Sequence, residues 1–177
     1  MKALTLTSYQ EFSFQDVDEP EFGPTDVLVR VKACGICGSD IHGMDGSSGR
    51  RIPPIIMGHE AAGVIEKVGS NVSSWAAGDR VAFDSMIFCG DCEACSKGAT
   101  NLCDERRVIG VSCEDYRQHG AFAELVCLPQ HILLPLPEKL SFEEAAFGEP
   151  VAVALHAVKQ VSPAPGSTAV VVGAGLI

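Results

Sequence analysis

In the stretch "DVLVRVKAC", Val27, Val29 and Val31 alternate with Leu28, Arg30 and Lys32. A period of two predicts a strand with one face buried and the other in water. The runs "AAGVIEKVG", "GDRVAFD" and "GAFAELVCL" share this texture, and Gly69 and the Gly78-Asp79 pair mark turns. Residues 2–136 are therefore expected to be β-rich. The chain carries no internal repeat and no low-complexity tract.

At Ser141 the texture changes. Ser141 and Glu144 stand in capping-box spacing ahead of a segment rich in Ala and Val, which predicts a helix start. Gly148 and Pro150 interrupt that helix. Because proline suits the first helical turn, a second helix is expected from 150 to about 160, with Glu149 held at the joint. "SPAPGS" reads as a linker, and "TAVVVGAGLI" as a buried strand running into a glycine-rich turn.

With 177 residues, 46% of them hydrophobic, the chain can bury a core without a disulfide framework. Its longest apolar stretch, 145–158, is broken by Glu149 and Pro150, and no uninterrupted run nears the roughly 20 residues that cross a bilayer. Residues 1–10 lack the pattern of a secretory signal. The expected compartment is the cytoplasm, whose reducing conditions favour cysteines as metal ligands or catalytic thiols over bridges. A formal net charge of -10 disfavours nucleic acid and anionic membrane as partners. The Arg50-Arg51 and Arg106-Arg107 pairs read as solvated surface.

"CGDCEACSKGATNLC" places Cys89, Cys92, Cys95 and Cys103 on one short loop. Four thiolates there can surround a single ion tetrahedrally, and soft sulfur favours zinc. Such a site leaves no position for water or substrate, so its expected role is to staple a loop with little core of its own. Two disulfides or an iron–sulfur cluster are the alternatives. A reducing compartment disfavours the first, and the spacing leaves the second open.

Upstream, "ACGICGSDIH" supplies Cys34, Cys37, Ser39, Asp40 and His42, and "GHEAAG" supplies His59 and Glu60. Neither segment decides anything alone. Cys34 and Cys37 could form a redox pair, but that motif belongs to a βαβ setting, and here it follows a strand. A lone histidine after glycine is more often structural than a ligand. Ser39 could equally cap a helix at "DIHG", and His42 could be surface.

Together, the run from Cys34 through "GHE", the four-cysteine loop, "GEPVAVALHAV" and the terminal "VVVGAG" resemble the medium-chain, zinc-dependent alcohol and polyol dehydrogenases. The order is the same and the resemblance covers essentially the whole chain. It implies a mainly β fold: a GroES-like β-barrel catalytic domain with a few helices over 1–160. A linker and the first strand and glycine turn of a truncated Rossmann α/β domain are implied over 161–177. The likeness further implies two zinc ions, one catalytic and one structural, NAD or NADP in the parent protein, a small alcohol or polyol as substrate, and a homo-oligomeric parent.

By the same likeness, Cys37, His59 and Glu149 ligate the catalytic zinc, Glu149 standing where many alcohol dehydrogenases have a cysteine. That carboxylate points to the sorbitol dehydrogenase-like polyol branch. Glu60 resembles the acidic neighbour that lies near the metal and exchanges with its water, and Asp40 resembles the partner that orients His59. Ser39 and His42 match the proton relay. Three protein ligands leave a fourth position for water or alcohol, and zinc makes the oxygen bound there acidic. Cys34, Cys113 and Cys127 are expected to be structural, and His119, His131 and His156 have no assigned role.

A dinucleotide fingerprint needs G-x-G-x-x-G, a following helix, and an acidic residue about 20 positions on. Gly173 and Gly175 open such a motif as the cofactor-binding candidates, and Ile177 is the last residue. The chain alone is therefore expected to hold zinc without dehydrogenase turnover. A non-catalytic zinc-stabilised β-barrel binding module is the competing reading, with one zinc ion instead of two. A zinc-independent reductase of the same superfamily would not need Cys37, His59 and Glu149 together. Iron in the open position is an alternative, since a Cys, His and Glu set is not uniquely selective.

Overall fold

The structure is a computed structural model and describes residues 1–173 and Gly175. Strands β1 (Lys2–Ser8), β2 (Glu11–Asp16) and β3 (Asp26–Gly35) lead into a short helix, α1 (Gly38–Gly43). Next come β4 (Ile55–Ile56), β5 (Glu60–Val68), β6 (Arg80–Phe83) and β7 (Met86–Ile87). The cysteine loop carries α2 (Glu93–Ser96) and returns to β8 (Arg107–Val108), which pairs with β7 across its base. β9 (Val111–Ser112) and β10 (Arg117–Gln118) form a small hairpin, followed by β11 (Leu125–Pro129) and β12 (Leu133–Pro135). Two helices close the order, α3 (Phe142–Ala146) and α4 (Gly148–Val161).

The larger sheet is antiparallel in the order β11-β3-β5-β6-β12, and the smaller has the order β2-β1-β4. They are stitched together where residues 122–124 run beside β1. Leu4 donates its N–H to the Phe122 carbonyl at 2.8 Å, and Glu124 donates to the Lys2 carbonyl at 3.0 Å. The result is the mainly β, GroES-like architecture that the sequence leads one to expect.

Alternation along the strands builds the core. Val27 and Val29 of β3 meet Ile65, Val81, Val126 and Leu128 in one apolar cluster. Burying a side chain of this size contributes roughly 1.5–3 kcal/mol before chain entropy is counted. Leu28, expected to face water, is 1% exposed, because β3 is covered on both faces at that point. Arg30 does reach solvent on that side, where it pairs with Glu66 at 2.5 Å.

The helix expectations hold closely. The Ser141 hydroxyl accepts from the Glu144 N–H at 3.1 Å, and the Glu144 carboxylate accepts from the Ser141 N–H at 2.8 Å. α4 starts at Gly148, slightly earlier than expected, and none of its residues is buried. Residues 168–173 differ from the buried strand read in the sequence: Val170, Val171 and Val172 are 85%, 85% and 96% exposed. A strand needs a neighbour to complete its hydrogen-bond ladder, and no described strand lies beside this segment. Gly173 has a positive φ of 101°. Ala174, Leu176 and Ile177 of the expected glycine turn lie outside the described residues. No described helix is long and apolar enough to cross a membrane.

Candidate metal centres

The four sulfurs of Cys89, Cys92, Cys95 and Cys103 all lie within 4.8 Å of one another. Local geometry gathers them. Cys92 caps α2 and accepts the Cys95 N–H at 3.5 Å, while the Cys89 sulfur accepts the Cys92 N–H at 3.4 Å. From the far end of the loop, the Cys103 sulfur accepts the Cys89 N–H at 3.3 Å. Every cysteine is free, so this cluster is not a pair of disulfides. The thiols titrate apart. The Asp91 side chain pushes Cys89 up to about 12, whereas the Cys95 N–H draws Cys92 down to about 6. A closed shell of four sulfurs fits a tetrahedral zinc ion, and the charge of the ion would resolve this competition for protons.

The second cluster is a product of strand register. Antiparallel pairing of β3 with β5 sets Gly35 opposite Glu60 and Cys34 opposite Ala61. Cys37 follows β3 and His59 precedes β5, so the pairing delivers both to one end of the sheet. Gly58 makes the approach possible. Its φ is +89°, and a Cβ there would lie 2.5 Å from the Phe122 ring and 2.9 Å from the Cys34 sulfur. The Met57 and Gly58 carbonyls accept from Phe122 at 2.9 Å and Ala121 at 2.8 Å, which fixes the backbone entering His59. Opposite it, the Glu60 carboxylate occupies the space that a side chain on Gly35 would take.

As a result, the Cys37 sulfur, a His59 ring nitrogen and a Glu60 carboxylate oxygen lie within 4.8 Å of one another. His59 and Glu60 are each 7% exposed. Burial pushes the Cys37 thiol up, hydrogen bonds from Ser39 pull it down, and the Glu60 carboxylate raises it again. Asp40 lies behind the cluster, 2% exposed, and its Oδ2 accepts the Cys37 N–H at 3.1 Å. His59 Nδ1 and Asp40 Oδ1 are buried without a hydrogen-bond partner. A thiol, an imidazole and a carboxylate held this close at the edge of the core form a donor set suited to a divalent cation, and sulfur with nitrogen favours zinc.

Glu149 stands apart from this set. Its Oε1 accepts the Ser85 hydroxyl at 3.0 Å, because the first turn of α4 faces the connection between β6 and β7. It lines a cavity of about 610 Å³ with Phe83, Met86, Ala146 and His156. Glu60 lines a different cavity, of about 250 Å³, although Ala146 borders both.

Ser39 is inside α1, whose cap is Cys37. With His42 it lines a surface groove of about 550 Å³ that Cys37 and Arg51 also border. Arg51, expected at the solvated surface, is instead buried beside the cluster. Arg50 is solvated as expected, but Arg51 is 5% exposed, 3.6 Å from Asp40 Oδ1 and 3.3 Å from Ser39 Oγ. Two consecutive arginines in a loop give no signal of which one turns inward. Burial pushes the Cys34 and Cys127 thiols up to about 12, as suits inert residues. His119 Nδ1 accepts the Ile56 N–H at 3.2 Å and His131 Nε2 lies 3.0 Å from the Phe88 carbonyl, so each ring has a local partner.

Residues 23–138 match the alcohol dehydrogenase GroES-like domain family. Sorbitol dehydrogenase from Bacillus subtilis is 38% identical over 99% of this chain and 49% of its own length. D-xylulose reductase A from Aspergillus oryzae is 40% identical, over 98% of this chain and 48% of its own. Among solved structures, a protein from Sinorhizobium meliloti assigned as a zinc-binding dehydrogenase and bound to NADP superposes with a TM-score of 0.80 at 40% identity. That match covers 90% of this chain and 45% of the other. The chain spans about half the length of the curated relatives it matches.

Proposed function

The chain belongs to the alcohol dehydrogenase GroES-like domain family, and on that premise we propose that it is the zinc-bearing catalytic part of an NAD(P)-dependent alcohol or polyol dehydrogenase. The observation that carries this reading is the convergence of Cys37, His59 and Glu60 where β3 and β5 meet. These three side chains would hold a catalytic zinc ion. When bound, the ion supplies a Lewis acid that makes an alcohol oxygen acidic. Ser39, at the mouth of the same groove, accepts the proton from the substrate hydroxyl, and His42, exposed one turn along α1, carries it to solvent. Asp40 orients His59 from behind.

The four-cysteine loop holds a second, structural zinc ion. Residues 1–160 act as the zinc-binding unit, and 161–177 lead toward a dinucleotide-binding unit in which Gly173 and Gly175 approach the cofactor phosphates. The names of the curated relatives favour a polyol over a simple alcohol as substrate. Eight unbridged cysteines suit a cytoplasmic parent protein.

Metal analysis tests the reading. The chain should hold two zinc ions, and Cys37→Ser should hold one with the four-cysteine site intact. A single ion in both proteins would instead identify a zinc-stabilised binding module.

A further inference from the structure

Among the described residues, three of the four side-chain polar atoms that are buried without a hydrogen-bond partner belong to neighbouring residues: Asp40 Oδ1, Arg51 Nε and His59 Nδ1. Arg51 is the least expected of the three. A guanidinium is costly to bury unless a carboxylate answers it. Asp40 is the carboxylate within ion-pair distance, and its Oδ1 lies 3.6 Å from Arg51 Nη2 and 3.8 Å from His59 Nδ1. The same carboxylate uses Oδ2 to accept the Cys37 N–H. One buried anion therefore touches the backbone of one candidate ligand and faces the ring of another, with Arg51 on its remaining side.

The fold commits several features to this placement. Arg51 bridges to Ser112 of β9, the Ile52 N–H donates to the Ser112 carbonyl at 3.0 Å, and the Ser112 N–H donates to the Arg50 carbonyl at 3.2 Å. The backbone on both sides of Arg51 is thus pinned to the hairpin. Gly43, at the end of α1, leaves the lane through which the arginine stem passes, because a Cβ there would collide with Arg51 Cγ. At its tip, Nη1 donates to the Arg50 carbonyl at 3.0 Å and Nη2 to Ser39 Oγ at 3.3 Å.

We propose that Arg51 is a positioning residue for the open metal site: it neutralises Asp40 inside the protein, so that Asp40 holds Cys37 and His59 in ligand geometry, and it tethers the Ser39 hydroxyl beside them. This rests on the metal-site reading above. With a divalent cation and two anionic ligands in place, Asp40 would be a third buried anion, and the guanidinium balances it. Removing that balance frees the carboxylate to shift and takes the Cys37 N–H contact and the His59 contact with it. The planar fork matters as well, since one guanidinium serves Asp40, Ser39 and the Arg50 carbonyl at once.

The test uses cobalt(II) and zinc on the 177-residue chain. Arg51→Met should weaken open-site metal binding by roughly 10–100-fold in chelator competition and alter the cobalt d–d spectrum of that site, while the four-cysteine site stays filled. Arg51→Lys should recover part of the affinity. In an Asp40→Asn background Arg51→Met should add little, because the charge it balances is gone. Amide-exchange protection of β3 and β5, which enclose the main core, reports that each variant is folded. Wild-type affinity and spectrum in Arg51→Met, or equal losses with and without Asp40, would overturn the assignment of Arg51 alone. A wild-type chain that binds only one metal ion would overturn the metal-site reading and this inference with it.

Discussion

Asp40 Oδ1 stands 3.8 Å from His59 Nδ1, both buried, and neither atom has a hydrogen-bond partner. The separation is too long for a hydrogen bond and too short for indifference. When the other ring nitrogen is engaged by a cation, Nδ1 carries the proton and Asp40 is the acceptor that faces it. Asp40→Asn keeps the shape and removes the charge, so second-site zinc should bind roughly 10–100-fold more weakly in a chelator competition. Asp40→Ala should in addition lower stability by roughly 3–5 kcal/mol in urea unfolding, because it strands the buried Arg51 guanidinium.

Glu60 and Glu149 compete for the role of third ligand, and their surroundings separate them. Glu60 lies within 4.8 Å of the Cys37 and His59 ligand atoms, whereas Glu149 is held by the Ser85 hydroxyl in the neighbouring cavity. Glu60→Gln should therefore reduce second-site zinc affinity by at least about tenfold, and Glu149→Gln by much less. Isothermal titration of each variant with zinc decides the order. A greater loss in Glu149→Gln would mean that the carboxylate leaves Ser85 to bind the ion.

Much of this site is legible in the residues themselves. The cysteine spacing at 89–103 specifies a closed four-sulfur site because every ligand comes from one loop, and the capping box at Ser141 is a local signal that the helix obeys. The open site depends on the Gly35–Glu60 register, a long-range pairing that no local pattern encodes, and only family likeness brings Cys37 and His59 together beforehand. The same limit explains the placements that no local pattern shows. Arg51 turns inward because the hairpin at Ser112 pins its backbone, Glu149 turns toward Ser85 because α4 begins against that connection, and residues 168–173 have no strand beside them among the described residues.

His119 gives a pH dependence unrelated to metal. Partial burial, with help from the Arg117 charge, holds its pKa below the ordinary 6.5, and its Nδ1 must stay unprotonated to accept the Ile56 N–H. The unfolded chain therefore takes up a proton near pH 6.5 that the folded chain resists, so stability falls as pH drops below about 6.5 and levels off below the folded value. The slope should be a fraction of the ~1.4 kcal/mol per pH unit that one whole proton would give, since solvent reaches the ring. His119→Gln, which keeps an acceptor, should flatten the difference between urea midpoints at about pH 7 and pH 5.5. An unchanged difference would show that other groups carry it.

The four-cysteine loop should be the first part of the molecule to lose order when metal is removed. Between Cys89 and Cys103 no residue is buried, and Leu102 is 62% exposed, so the loop has no apolar core. Its base is the two-residue pairing of β7 with β8, too short to hold the loop by itself. The β3–β5 pairing, by contrast, encloses the main cluster through Val27, Val29 and Ile65. A strong chelator should therefore bring residues 90–102 to near-unprotected amide exchange and make them a site of proteolytic cleavage, while β3 and β5 keep their protection. Cys103→Ser should reproduce this at normal zinc levels, because Cys103 is the buried cysteine that ties the end of the loop to Cys89. Unaltered exchange in the loop after complete metal removal would mean that the short hairpin and the capped α2 suffice to order it.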